Sequence, residues 1–369
     1  MTATGSQIAL TGAGGFLGFH IRAHALAERI EISPIGLGSK FNVDEAQRAV
    51  TGSTRLIHVA GVNRGTDKEV EEGNIAFARQ LSEVVRASAS PPRTIVFANS
   101  IQVRTDSVYG RAKSIAGEIL QEAAEAAGSQ FVDLELPNLF GEHGVPFYNS
   151  VVATFCHLLA SDGGKPQVLE DRGLQLLHAG IAAEVLLGFQ AAAAIAEHQV
   201  ERTVQELLED LIRLSGTYAG GDIPEFGSRY DRDLFNTYRS YLPAERRVVT
   251  LEPKSDSRGN FFEVVKNRGS GGQTSFSTTL PGITRGQHFH LNKIERFAVV
   301  AGEATITMRR LFGEEVETFR VSGSNPCAVD MPTLWAHEIT NTGKTPLLTM
   351  FWINEIFDPS SPDTFPEEV

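Results

Sequence analysis

The stretch Pro281-Gly-Ile-Thr-Arg-Gly-Gln-His288-Phe-His290-Leu-Asn-Lys-Ile-Glu295-Arg-Phe-Ala-Val-Val-Ala-Gly302 decides how the second half of this chain is read. On an extended segment side chains alternate faces, so His288 and His290 point the same way, and Glu295 lies just past a turn that brings it beside them. His337, in Pro332-Thr-Leu-Trp-Ala-His337-Glu-Ile-Thr-Asn341, supplies a third imidazole. Such a set suits a divalent ion such as zinc, iron, nickel or manganese, with room left for water or substrate. From Arg247 onward short alternating segments are separated by glycine turns, which predicts an all-β unit around the cluster.

The spacing Gly282-x5-His288-x-His290-x4-Glu295-x6-Gly302, followed by Pro332-x4-His337-x3-Asn341, resembles the paired motif of the cupin family. It departs only at Leu334, where the second motif has glycine. The resemblance implies an all-β jelly-roll barrel with one divalent metal ion on His288, His290, Glu295 and His337. Asp256-Ser-Arg258-Gly-Asn-Phe-Phe-Glu263, Gln273-Thr-Ser275-Phe-Ser277 and Arg285-Gly-Gln-His288 resemble the cupins that epimerise deoxy-4-ketohexose nucleotides. In those enzymes arginines grip the diphosphate, a role that falls here to Arg258 and Arg285, and a histidine at the position of His288 acts as base. A metal ligand cannot also be a free base, so Lys293 is the second candidate.

Outward from this stretch, the 369 residues leave room for two cores. The pattern changes after Leu242-Pro243, which suggests a hinge and a boundary between residues 1–244 and 245–369. A net charge of −12 lacks the basic stripe that nucleic acid binding requires. Cys156 and Cys327 form no CxxC, so neither a disulfide framework nor a thiolate metal site is expected. The N-terminus has no basic leader, and the apolar run Ile181 to Ala196 is broken by Glu184 and Gln190. A soluble, cytoplasmic protein with no membrane span follows as the expectation.

The first half opens with a strand, Ile8-Ala-Leu-Thr11, the loop Gly12-Ala-Gly-Gly15-Phe16-Leu17-Gly18, and a helix from Phe19 to Ile30. Glycines so placed let the backbone turn tightly against a pyrophosphate at a helix start, which predicts a doubly wound α/β Rossmann unit. The next strand, around Glu31 to Leu37, runs into Gly38-Ser39-Lys40 with no carboxylate for a ribose 2′-hydroxyl. Ser39 and Lys40 suit a 2′-phosphate, so the expected cofactor is NADPH. Leu56-Ile-His-Val-Ala60-Gly61 predicts a strand passing under the cofactor, with His58 packed inside it. His20 and His24 read as one face of a helix. Thr94 to Ser100 is a further strand that delivers Ser100 at its carboxyl end, where such sheets bind ligands. Tyr109 and Lys113 then share a helix face, so the ammonium is expected to lower the phenol's pKa.

The Gly-x2-Gly-x2-Gly loop after a threonine, with Ser100, Tyr109 and Lys113 in order, resembles the short-chain dehydrogenases and reductases. That resemblance implies that Ser100 holds a carbonyl oxygen, Tyr109 gives it a proton and Lys113 grips the ribose. Asn74 matches a helix-distorting asparagine of the family. Its sugar-nucleotide dehydratases carry an acidic pair after the active-site hydroxyl, but Ser100 precedes Ile101 and Gln102, which implies reduction or oxidation without dehydration. Pro137-Asn138-Leu-Phe-Gly141 resembles the substrate side of the extended, sugar-nucleotide branch. Asn149-Ser-Val-Val-Ala-Thr-Phe reads as a helix that caps the nucleotide.

Across the whole chain, Ala60-Gly-Val-Asn-Arg64, Pro137 to Gly141, Asn149 to Cys156, Tyr238-Arg-Ser-Tyr-Leu-Pro243 and Trp352-Ile-Asn-Glu-Ile-Phe-Asp358 are similar to a bifunctional family of capsular-polysaccharide enzymes. There a zinc-binding cupin epimerises C3 of a UDP-2-acetamido-2,6-dideoxy-4-hexulose, and a reductase domain then reduces C4 with NADPH to UDP-N-acetyl-L-talosamine. The resemblance implies a UDP-linked 4-keto-6-deoxy amino sugar as substrate, and cupin pairing implies a homodimer. The alternative is a reductase whose β domain only dimerises the chain or binds sugar.

Overall fold

The residues described in the computed structural model are 7–161, 164–269 and 271–369. Strand β1 (Gln7–Thr11) lies between β2 (Glu31–Ile35) and β3 (Arg55–His58) in a sheet that continues through β4 (Thr94–Ser100) to β5 (Gln130–Leu136). Every pairing in it is parallel. Parallel neighbours need crossovers, and helices α1 (Phe16–Ala27), α2 (Val43–Val50), α3 (Asp67–Ala87) and α4 (Val108–Ala127) provide them. Helix α1 starts three residues earlier than the sequence suggested, because the last turn of the glycine loop is already helical.

Alternation along the strands explains why both faces are apolar. Ile8 and Leu10 join one buried cluster with Ile21 of α1, while Ala9 joins another with Leu81 and Val84 of α3. Local signals fix the ends of the helices. Thr66 and Glu69 form a reciprocal cap on α3, and α4 runs from Ser107, which caps it, to Gly128 in the left-handed region. The strand order reverses between β1 and β3, so a crevice opens at the carboxyl end of β1, where the glycine loop sits.

The chain divides into two compact units. One comprises the residues up to Leu139 together with Gln175–Glu201, and the other Phe140–Leu174 with Arg202–Val369. The first unit holds α6 (Ala179–Leu187) and α7 (Ala193–His198), after α5 (Val151–Ala160) of the second. Helices α8 (Val204–Ala219) and α9 (Arg229–Arg239) thus group with the β-rich tail, although the composition changes only after Pro243. Polar contacts bind them to it: Arg296 donates to the Gly221 carbonyl at 2.8 Å, Asn236 to that of Asn292 at 2.8 Å, and Arg239 to that of Met331 at 2.8 Å.

The tail of this second unit is all β. One five-stranded sheet has the order Gln273–Thr279, Leu347–Ile353, Glu295–Ala301, Cys327–Met331, Val248–Thr250. The other has the order Val316–Ser322, Glu303–Arg310, Trp335–Asn341, Thr284–Phe289, Phe365–Pro366. Phe297, Met331 and Leu347 of the first share a buried cluster with Ile306, Met308 and Ile339 of the second, so the two sheets face each other across a common core. Among the described residues no helix is long and apolar enough to cross a membrane.

Candidate active site and metal cluster

At two glycines of the loop, contacts leave no room for a side chain. Gly12 has φ +69°, and a Cβ there would stand 2.9 Å from the Ala60 nitrogen; a Cβ on Gly18 would stand 2.1 Å from the Gly12 carbonyl oxygen. Thr11 ties the loop to β3: its Oγ1 lies 2.7 Å from His58 Nδ1 and accepts from the amides of Val59 and Ala60 at 3.2 Å each. Asn74 secures the other side of the Ala60-Gly61 segment, accepting from the Val62 amide at 3.2 Å and donating to the Val62 and Val70 carbonyls at 2.7 Å. This gives the asparagine a role that its position in the sequence left open. His58 is buried and stacked on Phe97, and burial, helped by Lys113, pushes its pKa down to about 3. Ser39 and Lys40 are exposed in a short 3₁₀ turn after β2, whose Gly38 amide is held by Gln80 at 3.0 Å. Phe16 and Leu17 begin α1.

Ser100 ends β4, and its Oγ accepts from the Gln102 amide at 3.2 Å. Tyr109 lies in the first turn of α4, and Lys113 follows one turn later. The lysine is buried; its Nζ donates to the Ala98 carbonyl at 2.7 Å and sits 3.9 Å above the Phe97 ring. Burial lowers its pKa to about 7, opposed by Asp133. The phenol of Tyr109 departs from expectation. Burial raises its pKa, and the ammonium that was to lower it is directed at the Ala98 carbonyl instead. Asn138 donates to the Gln175 carbonyl at 3.1 Å. Asn149 is exposed and precedes Ser150, which caps α5.

In the second unit the four expected ligands converge. His288, His290, Glu295 and His337 each offer a ligand atom, all within 4.8 Å of one another. Glu295 Oε2 lies 3.0 Å from His290 Nε2, 3.1 Å from His337 Nε2 and 4.0 Å from His288 Nε2. A β-bulge between Gly286 and His288, with Gly286 at φ +100°, aims the first histidine. Leu334 takes the left-handed conformation, φ +63°, at the position where the motif has glycine, and donates its amide to the His290 carbonyl at 2.8 Å.

The ring tautomers fit a cation. His290 Nδ1 lies 2.6 Å from the Asp363 carbonyl and His337 Nδ1 3.2 Å from that of Trp335. Carbonyls only accept, so both Nδ1 atoms carry hydrogen, and in neutral rings both Nε2 lone pairs face the Glu295 carboxylate. A shared cation, or a proton on one of the rings, reconciles three acceptors at such distances. Burial opposes ionisation of Glu295, yet the three imidazoles hold its carboxyl well below the usual range. For His290 burial is outweighed by Glu295 and the pKa rises; for His337 burial prevails and it falls.

The remaining expected residues lie apart from this convergence. Lys293 is buried, neither exposed to solvent nor free: its Nζ donates to the Pro362 carbonyl and, at 3.1 Å, to Thr364 Oγ1. Arg285 donates to Thr279 Oγ1 at 3.0 Å and to the Thr278 carbonyl at 3.1 Å. Arg258 is exposed and forks onto Asp256, with the shortest contact 2.6 Å. Sequence reasoning missed Asp363 and Asn354, which cap the turn between His290 and Glu295. No local pattern links them to that turn.

Comparisons with known proteins agree with this architecture. Residues 8–180 match the NAD dependent epimerase/dehydratase family, and residues 254–365 the polysaccharide biosynthesis C-terminal domain. The UDP-2-acetamido-2,6-beta-L-arabino-hexul-4-ose reductase of Pseudomonas aeruginosa is 32% identical over 97% of this chain and 98% of its own. The chain belongs to the family of that reductase. The crystal structure of the capsular polysaccharide assembling protein CapF from Staphylococcus aureus is similar over 98% of this chain and all of its own, at 31% identity and a TM-score of 0.62. The spore coat polysaccharide biosynthesis protein SpsL of Bacillus subtilis is 26% identical over 32% of this chain and 83% of its own.

Proposed function

We propose that the chain is an NADPH-dependent reductase of a UDP-linked 4-keto-6-deoxy amino sugar. The observation that carries this reading is the conjunction of the glycine loop, Ser100, Tyr109 and Lys113 on one parallel sheet and its helix α4. Full-length similarity to a hexulose reductase supports the substrate class. The loop Gly12 to Gly18 would hold the pyrophosphate, Ala60 and Gly61 would flank the cofactor, and Ser39 and Lys40 would receive the 2′-phosphate. Bound NADPH supplies the hydride for the C4 carbonyl carbon. Ser100 donates to the ketone oxygen, and Tyr109 passes its proton to that oxygen as negative charge develops. Burial keeps the phenol protonated at neutral pH, as a proton donor requires. Lys113, one turn away, would grip the ribose of the cofactor. Asn138 is the proposed sugar-nucleotide contact on the substrate side.

The test follows NADPH oxidation with UDP-2-acetamido-2,6-dideoxy-4-hexulose and reads the product by NMR. UDP-N-acetyl-L-talosamine is expected, and turnover that survives Tyr109→Phe would remove the assignment.

A second reading concerns the all-β part, and the convergence of His288, His290, Glu295 and His337 favours it. Here the two facing sheets form a cupin barrel that epimerises C3 before reduction. In this reading His290, Glu295 and His337 would hold a divalent ion, zinc in the proposal, which supplies Lewis-acid stabilisation of the enolate oxygen, and His288 keeps its lone pair free. His288 is the loosest of the four, at 4.0 Å from Glu295 with 21% of its side chain exposed, and so suits proton transfer at C3 better than the tethered Lys293. Arg258 and Arg285 would grip the diphosphate. Exchange of the C3 proton in D2O without NADPH tests this. No exchange would leave the β part as a dimerisation or sugar-binding module, and a dimeric mass by light scattering is expected in either case.

A further inference from the structure

We propose that Asp363 is a positioning residue for the metal cluster, through which the C-terminal segment holds the ligand turn in its binding shape; this inference rests on the metal reading of the cluster. The turn Leu291 to Ile294 joins two ligands, His290 and Glu295. Its four successive amides all end on side chains from far along the chain. Asp363 Oδ1 accepts from Leu291 at 3.0 Å, and Oδ2 from Asn292 at 2.9 Å and Lys293 at 2.7 Å. Asn354 Oδ1 accepts from Ile294 at 2.8 Å.

Asp363 also reaches a ligand ring. Its backbone carbonyl lies 2.6 Å from His290 Nδ1, which leaves Nε2 as the atom turned to the cluster. One residue therefore sets both the path of the turn and the tautomer of a ligand. Its φ of +41° is uncommon for a residue with a side chain, and three charge-assisted bonds to the turn offset that strain.

The flanks hold Asp363 in place. Phe365 pairs with Phe289, their rings 5.4 Å apart, and the Glu367 amide donates to the Gln287 carbonyl at 2.9 Å. The Lys293 ammonium binds the Pro362 carbonyl and Thr364, which accounts for its burial without a role as base.

The experiment uses the full chain and zinc ion alone. Wild type and Asp363→Ala compete for zinc with a chromophoric chelator, and hydrogen exchange follows the amides of residues 291–293 in the metal-free proteins. Asp363→Ala is expected to bind zinc 10- to 100-fold more weakly and to expose those amides, with NADPH binding unchanged. Asp363→Asn keeps the shape and the backbone carbonyl, and is expected to show a smaller loss in the same direction; it decides the question if the alanine variant does not fold. Wild-type zinc affinity in the variants overturns the inference. A wild-type protein that takes up no zinc overturns the metal reading itself and the inference with it, even if the amides behave as expected.

Discussion

The guanidinium of Arg296 and the carboxylate of Asp330 meet through two hydrogen bonds, of 2.6 and 2.8 Å, with both side chains 1% exposed. Tyr218 of α8 adds its hydroxyl to the same carboxylate, so the pair joins the helical segment to the β part within one compact unit. Burial alone would raise the pKa of Asp330, but Arg296 and its neighbours hold it below the usual carboxylate range. Removing one partner leaves a buried charge without its counterion. Asp330→Ala or Arg296→Met is therefore expected to lower stability by about 3–5 kcal/mol, and the combined change to Leu and Met by much less. Denaturant unfolding of the single and double variants measures the difference.

Lys113 makes stability depend on pH. Its pKa is about 7 in the fold and 10.5 ordinarily, so between these values the unfolded chain binds more protons and stability rises with pH. The contribution is full above about pH 10.5 and is lost as pH falls towards 7. The difference in unfolding free energy between the wild type and Lys113→Met, both free of cofactor, is expected to follow this slope. A flat difference would show that burial does not depress this ammonium.

Gly18→Ala places a Cβ 2.1 Å from the Gly12 carbonyl, and a backbone atom cannot yield without moving the loop. NADPH affinity is expected to fall at least about tenfold, since loop amides must approach the pyrophosphate closely. Fluorescence titration of NADPH reads it directly.

Lys40 follows the position where NAD-binding relatives of this fold carry an acidic residue. Lys40→Asp is expected to reverse the preference between NADPH and NADH, by about tenfold or more in kcat/KM. Equal losses with both cofactors would place the 2′-phosphate elsewhere.

Removing the metal separates the two proposed activities. Dialysis against a chelator is expected to abolish C3 proton exchange and leave NADPH binding intact, and zinc is expected to restore exchange. His337→Ala, which removes a fully buried imidazole of the cluster, is expected to lower bound metal below one per chain and to resist that rescue.

The parallel sheet was legible because a glycine loop between an apolar strand and a helix is a local signal, as is the order Ser100, Tyr109, Lys113. Period-two alternation also announced the all-β tail, and the histidine spacing named the cluster in advance. What local pattern could not carry was the grouping of α8 and α9 with that tail, since Tyr218 meets Asp330 across 112 positions. The direction of the Tyr109 shift likewise depended on burial and on the turn of Lys113 towards Ala98, neither of which is encoded in an i,i+4 spacing.

The sequence by itself therefore determined which chemical groups the protein owns and the elements that carry them, because short-range sterics and side-chain periodicity act within a few residues. The tertiary structure decided how those groups are held: Asp363 reaches back about 70 positions to cap the ligand turn, and Lys293 is drawn inward onto Thr364. Such contacts arise from the path of the whole chain, which no window of neighbouring residues records.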